Sequence, residues 1–473
     1  CQQMQPSLPG GFASFHWIVR KAFWHERLPA LRLLKIRRHR MASLRTRLIS
    51  MAILAASSAL AAASDISIRA YRSDDTLLNM GRFRFDNGRT VNLTVGIGSG
   101  AFHHPDDPPN VIWTVGDRGP NLTCGDLKSI ANSDIAACRD TRNARIYLAP
   151  SYTPSLYRVL LLDDGTFRIT DVITLKDREG QPLNGMPNPM RSVTTEIPFD
   201  GHGKPLQQDV HGIDAEAVVR LTDGSFWISD ENGPSLVQLR NDGRIVARYV
   251  PQGTEKDFEG AHYEVVGSLP AILARRQANR GIEALAMSPD ERYLYFILQS
   301  PLANPNTAAF RKGRNVRLFK IERTSMQVVG EYVYVMDDPK SFRRDPSGDP
   351  ADPRISEMVA TGLDRLIVLE RTEATTKLYE IDLSAATDIY GSPWDDLSTV
   401  PSLEQTEVRD TAIVPLQKTL RFDSADFPQV PGKIEGMALL GDGGLALIND
   451  DDFGITGART QIVVVRGLDI ADR

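Results

Sequence analysis

The stretch His211-Gly-Ile-Asp-Ala-Glu-Ala-Val-Val-Arg-Leu-Thr-Asp-Gly-Ser-Phe-Trp-Ile-Ser-Asp-Glu231 reads as a strand, a tight turn and a second strand. Apolar β-formers flank an Asp-Gly pair, which is the residue choice that a hairpin turn demands. The same pattern returns at Arg280-Gly-Ile-Glu through Leu-Gln-Ser300, and at Lys433-Ile-Glu-Gly through Asn-Asp-Asp451. Weaker copies run from Ile355 to Arg371 and from Gly98 to Arg118. Aligned on Glu216, Glu283, Glu357 and Glu435, the copies step by 67, 74 and 78 residues. A repeat of this length suits small sheets that cannot bury both faces alone and must stack around an axis. The fold class expected is all-β, a β-propeller with long loop insertions. Glu216 lies 116 residues after Gly100, which leaves room for one more copy. Six blades are therefore expected, with seven as the runner-up and two aligned β-sandwiches as the other architecture.

Between the repeats lie charged, proline-bearing loops at 177–211, 254–280, 300–314, 337–353 and 390–401. Insertions of this kind build one face of a repeat protein. Residues 269–280 are rich in helix formers and predict a short helix. No Ser/Gly or Pro-rich linker divides the chain, so one domain is expected over 66–473.

The head of the chain differs from its body. Residues 1–64 carry ten Lys/Arg against one acidic residue, Glu26, whereas the remainder carries 45 basic against 59 acidic residues. Met41-Ala-Ser-Leu-Arg-Thr-Arg, the apolar run 48–63 and the Ala61-Ala-Ala63 site have the order of a signal peptide, assigned to 41–63 with cleavage after Ala63. Residues 1–40 precede it and read as upstream sequence from a mistaken start, so the mature protein is expected in the periplasm or secreted, with no membrane span. An acidic body of this size lacks the basic footprint of a nucleic-acid binder. A monomer acting on a small anionic ligand is expected.

Cys1 aside, two cysteines remain, Cys124 and Cys138. In an oxidising compartment they are expected to form a disulfide. A phosphatase-type C-x5-R loop is excluded, because Ile130 and Ala144 stand six residues after them. G-x-S-x-G, H-E-x-x-H, paired C-x-x-C and P-loop motifs are all absent from the sequence.

What remains is carboxylates at equivalent points of each repeat. If the first strand of each blade lines the channel, Glu216, Glu283 and Glu435 converge, joined by Asp230 and Asp450 from the ends of the second strands. Such a set repels itself unless a cation, arginines or protons compensate. Ca2+, which takes six to eight oxygens, is the expected metal. Arg118, Arg371 and Arg317 are candidates to clamp an anionic substrate. Glu216 and His211 are the candidates for acid–base work. A ring of structural salt bridges would draw on the same residue types.

Asp214-Ala-Glu216 with Asp223-Gly-Ser-Phe-Trp-Ile-Ser-Asp-Glu-Asn-Gly-Pro-Ser235, Gly281-Ile-Glu283 with Leu298-Gln-Ser-Pro-Leu302, and Lys433-Ile-Glu435-Gly resemble the phytase-like family, whose name carries an esterase-like activity. The resemblance extends over roughly Gly81–Arg466. It implies a secreted propeller that hydrolyses phosphoester or ester bonds, with a non-catalytic ligand-binding propeller as the alternative. Ala284 stands where the family more often has Gly.

Overall fold

A computed structural model describes residues 66–190 and 195–470. The expected signal peptide and the residues before it lie outside the described residues. No described helix is long and apolar enough to cross a membrane.

The hairpins found in the sequence form as read. In the first of them Asp223 Oδ1 accepts the Ser225 N–H at 2.8 Å, and Gly224 takes φ +84°. A glycine adopts that left-handed backbone without the penalty a Cβ would bring. Each hairpin is extended outward by two more antiparallel strands. Among the described residues five such sheets result, numbered here as blades one to five in chain order.

Blade one holds Gly100–Phe102, Val111–Val115, Ser155–Leu161 and Phe167–Thr174. Blade two holds Ala215–Arg220, Phe226–Asp230, Ser235–Leu239 and Ile245–Pro251, with Glu264–Leu269 added in parallel at its edge. Blade three holds Ile282–Met287, Tyr293–Leu298, Asn315–Glu322 and Gln327–Val335. Blade four holds Arg354–Gly362, Arg365–Arg371, Thr376–Asp382 and Lys418–Asp423. Blade five holds Ile434–Leu439, Leu445–Asn449 and Gln461–Arg466, and its outer strand is Ser67–Arg72 from the other end of the chain. Each blade's first strand touches the first strands of the blades on either side, and blade five returns to blade one. The fold is a closed β-propeller.

Five blades correct the expectation of six. The residues between Gly100 and Glu216 complete blade one and also build a small extra sheet: Asn121–Thr123, helices Cys124–Ala131 and Ala136–Asp140, and Ala144–Tyr147 are inserted between the second and third strands of the blade, and Ile197–Asp200 follows its fourth. Leu122, Ile146 and Phe199 supply strand-like apolar positions there, but they pack against Phe85, Leu93 and Leu127 in a satellite core. Spacing alone could not tell such a satellite from a blade. The helix expected within 269–280 is a single 3-10 turn, Ala271–Arg275.

Period-two alternation explains the core. In the strand Gln461–Arg466, Ile462 and Val464 face blade one, while Val463 and Val465 face blade four. Both faces of a blade are covered, so the strand reads as continuous valine. Each such side chain, 0% exposed, contributes about 1.5–3 kcal/mol of apolar burial. Trp113 and Leu156 meet Val218 and Val237 in the same way between blades one and two.

Candidate functional site

Four first strands carry a register shift near their start. One residue is left unpaired between Ile282 and Ala284, between Ile355 and Glu357, and between Ile434 and Gly436, while between Ala215 and Val218 the two residues Glu216 and Ala217 stand opposite Ser229 alone, again one extra. A bulge of this kind re-aims the extra side chain. In blades two, three and five that residue is Glu216, Glu283 or Glu435, and all three line one cavity of about 460 Å³ at the channel mouth. In blade four the bulged residue is Ser356. Glu357 therefore sits one position deeper, where its carboxylate accepts the N–H groups of Ala101 at 3.1 Å and Met358 at 2.9 Å. It ties first strands together and lies off the cavity. Aligning the repeats on Ile282, Ile355 and Ile434 instead of on glutamate would have revealed this from the sequence.

The ends of the second strands follow the same alternation. Asp117, Glu231, Gln299, Arg371 and Asp450 are the equivalent residues of blades one to five, and all five line the cavity. The residue before each points away. Asp230 is thus corrected as a metal ligand: it is fully buried against the Arg248 guanidinium and accepts the Gly233 N–H at 3.1 Å. Glu370, the matching residue of blade four, accepts from Tyr334 at 2.8 Å and Lys418 at 2.6 Å.

Asp117, Asp214 and Glu216 each offer an oxygen within 4.8 Å of the other two. Asp117 and Asp214 were missed as ligands by the sequence reading, although both stand in the repeats it quoted. Asp214 is 1% exposed, and neither of its oxygens has a hydrogen-bond partner. Its nearest cation is Arg118 Nη1 at 3.4 Å. Burial pushes Asp117 and Glu216 well above the usual carboxylate range, and neighbouring carboxylates add to the effect: Asp214 and Asp450 for Asp117, Glu283 and Asp214 for Glu216. Glu231 is raised to about 7 by burial and by Asp214. Burial also raises Glu435 to about 7, although Arg371 contacts it directly. Asp450 goes the other way: burial raises it, but Lys433 at 2.9 Å, the Asp452 N–H and Arg371 together outweigh that and lower it.

Two buried carboxylates and a half-buried third, with both oxygens of Asp214 unpartnered, make a donor set that a hard oxygen-loving cation takes. Asp117, Asp214 and Glu216 would hold it. Glu283, Glu435 and Asp450 line the same cavity outside the closest group, and the last two are already neutralised by Arg371 and Lys433.

Three arginines, Arg280, Arg354 and Arg371, lie on the side of blades three and four; burial first, and then the charges of Arg354 and Arg371, lower the proton affinity of Arg280. Arg280 Nε, Arg354 Nε and Arg371 Nη1 are buried without hydrogen-bond partners. Such N–H groups are suited to an anion. Arg371, a candidate from the sequence, lines the cavity together with Arg280 and Arg354, which were not among the candidates. Arg118 lines the cavity, but its guanidinium is engaged by Glu196, Asp214 and Asn279. Arg317 is corrected outright. It lies apart from the cavity, held by Glu404 at 2.8 Å and Glu331 at 2.6 Å.

His211 is also corrected as a partner of Glu216. It does not line the cavity; its Nδ1 faces Asp209 Oδ1 at 3.2 Å, and its ring meets His262 edge-on. The expected disulfide forms between Cys124 and Cys138. It closes the helix beside Asn121, Thr123 and Asp126, which line the cavity rim.

Comparison with known proteins places these features in context. A secreted protein of uncharacterised role from Arthroderma benhamiae is 26% identical over 252 residues, covering 48% of this chain and 47% of its own length. The alignment thus spans about half of that relative. Among solved structures, a luciferin-regenerating enzyme aligns over 86% of this chain and 98% of its own, with 11% identity and a TM-score of 0.31. Regucalcin from Agrobacterium tumefaciens, described as a calcium-binding protein, aligns over 80% and 96%, with 12% identity and a TM-score of 0.32. The family model described as "Esterase-like activity of phytase" matches residues 125–453, more than half of the chain, and the protein belongs to this phytase-like family.

Proposed function

We propose that the protein is an exported, cation-assisted hydrolase of phosphoester or related ester bonds in small anionic substrates, with Ca2+ as the cation. The observation that carries this reading is one cavity holding both the close trio Asp117, Asp214 and Glu216 and the arginine trio Arg280, Arg354 and Arg371. The first set suits a hard dication and the second suits the charged oxygens of its ligand. A bound dication supplies charge neutralisation at the ester oxygens and a more acidic water. The arginines orient the anionic group. Glu231, at about 7 and with Oε1 unpartnered, takes and returns the proton. The disulfide and the secreted relative support export.

The test is phosphate release by the full chain from a phosphomonoester panel, with Ca2+ and then with chelator. Release that requires metal and disappears in Asp214→Asn is expected. A second reading, ligand binding without turnover, is favoured by the ion pairs Arg118–Glu196, Arg371–Glu435 and Lys433–Asp450 in the cavity lining, which a non-catalytic site would equally use. Saturable binding of the same esters with no release would establish it instead.

A further inference from the structure

We infer that Asp177, His211 and His262 form a second metal site, separate from the channel mouth and selective for a borderline first-row dication such as Zn2+. One ligand atom from each lies within 4.8 Å of the others. The residues come from three loops. Asp177 opens a tight turn after blade one, closed by Asp177 N–H donating to Gln181 C=O at 2.8 Å. His211 precedes the first strand of blade two, and His262 precedes that blade's added edge strand.

The spacing is diagnostic. His262 Nδ1 stands 3.4 Å from Asp177 Oδ2. A direct hydrogen bond of this kind runs about 2.7–3.2 Å. Two ligands held at about 2.0–2.1 Å from one tetrahedral metal stand about 3.4 Å apart. Asp177 is 1% exposed, and its Oδ1 is occupied by the Gln181 N–H at 2.8 Å, which turns Oδ2 towards the histidine.

His211 is oriented as a ligand. Asp209 accepts from its Nδ1 at 3.2 Å, which leaves the lone pair on Nε2. That pair meets only the His262 backbone N–H at 3.4 Å, a contact too long to hold it against a metal. Asp209 is fixed in turn by Asn184 Nδ2 at 2.7 Å and by the His211 N–H at 2.9 Å. A carboxylate behind a histidine, itself anchored, is the outer shell of a metal site. Two imidazoles and one carboxylate select Zn2+ and its neighbours over Ca2+. Glu179, exposed on the same turn with Oε2 3.8 Å from His262 Nδ1, is placed to become a fourth ligand. Metal here would fasten the Asp177 turn to a residue three positions before Asp214.

Co2+ titration of the full chain tests the site in an Asp214→Asn/Glu216→Gln background, which removes the mouth as a competitor. One equivalent with visible d–d absorption is expected, persisting in excess Ca2+. Affinity should fall at least about 100-fold in His262→Gln and about 10–100-fold in Asp209→Asn. His262 is half exposed, so unchanged metal-free melting of His262→Gln will separate ligand loss from misfolding. Equal spectra and affinity in His262→Gln, no d–d band, or bleaching by Ca2+ would each overturn the assignment.

Discussion

At the residue scale, the same chemical type does opposite work one position apart. Asp230 and Glu231 are neighbours; one is sealed against Arg248 and the other opens on the cavity with its carboxyl at about 7. Arg248→Met leaves Asp230 buried and unpaired, and is expected to cost about 3–5 kcal/mol in denaturant unfolding. Asp214→Asn removes a carboxylate whose oxygens have no other hydrogen-bond partner. Its Ca2+ affinity by calorimetry should drop by about 100-fold, far beyond the change in unfolding in chelator, where only the ion pair with Arg118 is lost. An equal affinity would remove Asp214 from the cation site.

At the element scale, the bulge that begins the first strands of blades two to five matters more than the identity of any one strand residue. It turns Glu216, Glu283 and Glu435 to the mouth, whereas in blade four the bulged residue is Ser356, buried and accepting from Arg371 Nε at 2.9 Å. The repeats were legible in the sequence because hairpins depend on local turn residues and period-two apolar runs. The one-residue offset at Glu357 shows in the sequence only when the repeats are aligned on Ile282, Ile355 and Ile434; that these isoleucines mark the paired position before the bulge is set by the partner strand's register. The disulfide was legible too, from two cysteines 14 residues apart in a chain whose head reads as a signal peptide. Replacing Cys124 and Cys138 by Ser opens a loop with a sequence separation of 14, a change worth about 3 kcal/mol in the segment bordering the cavity. Faster amide exchange across 124–138, with the blades unaffected, is the expected result.

At the scale of the whole molecule, closure and charge set stability together. Ser67–Arg72 pairs with Gln461–Arg466 along its full length, so the two ends of the fold meet in blade five. Deleting residues 64–72 should expose the valine-rich edge Gln461–Arg466 and broaden or abolish cooperative melting, with aggregation. Charge acts through the mouth. Glu231 and Glu435 are raised from 4.5 to about 7, so between those values the folded protein holds protons that the unfolded chain releases. Their contribution to stability therefore falls as pH rises through that window. In chelator the melting temperature should decline between about pH 4.5 and 7, less steeply in Glu231→Gln. Added Ca2+ should raise it more at pH 8 than at pH 5, because at low pH protons already neutralise the site. A Ca2+ effect independent of pH would separate the cation from these carboxylates.

By itself the sequence determined the hairpins, the repeat and the disulfide, and brought three of the mouth glutamates into view, because turn chemistry, apolar alternation and cysteine pairing are local or compositional. Only the tertiary structure decided that five blades close the ring, that Asp117 and Asp214 complete the trio with Glu216, that Arg280 and Arg354 join Arg371, and that His211 belongs with Asp177 and His262. Each of these depends on which loops meet across neighbouring blades and on which way a bulge turns a side chain. Both are fixed by pairing between strands far apart in the chain.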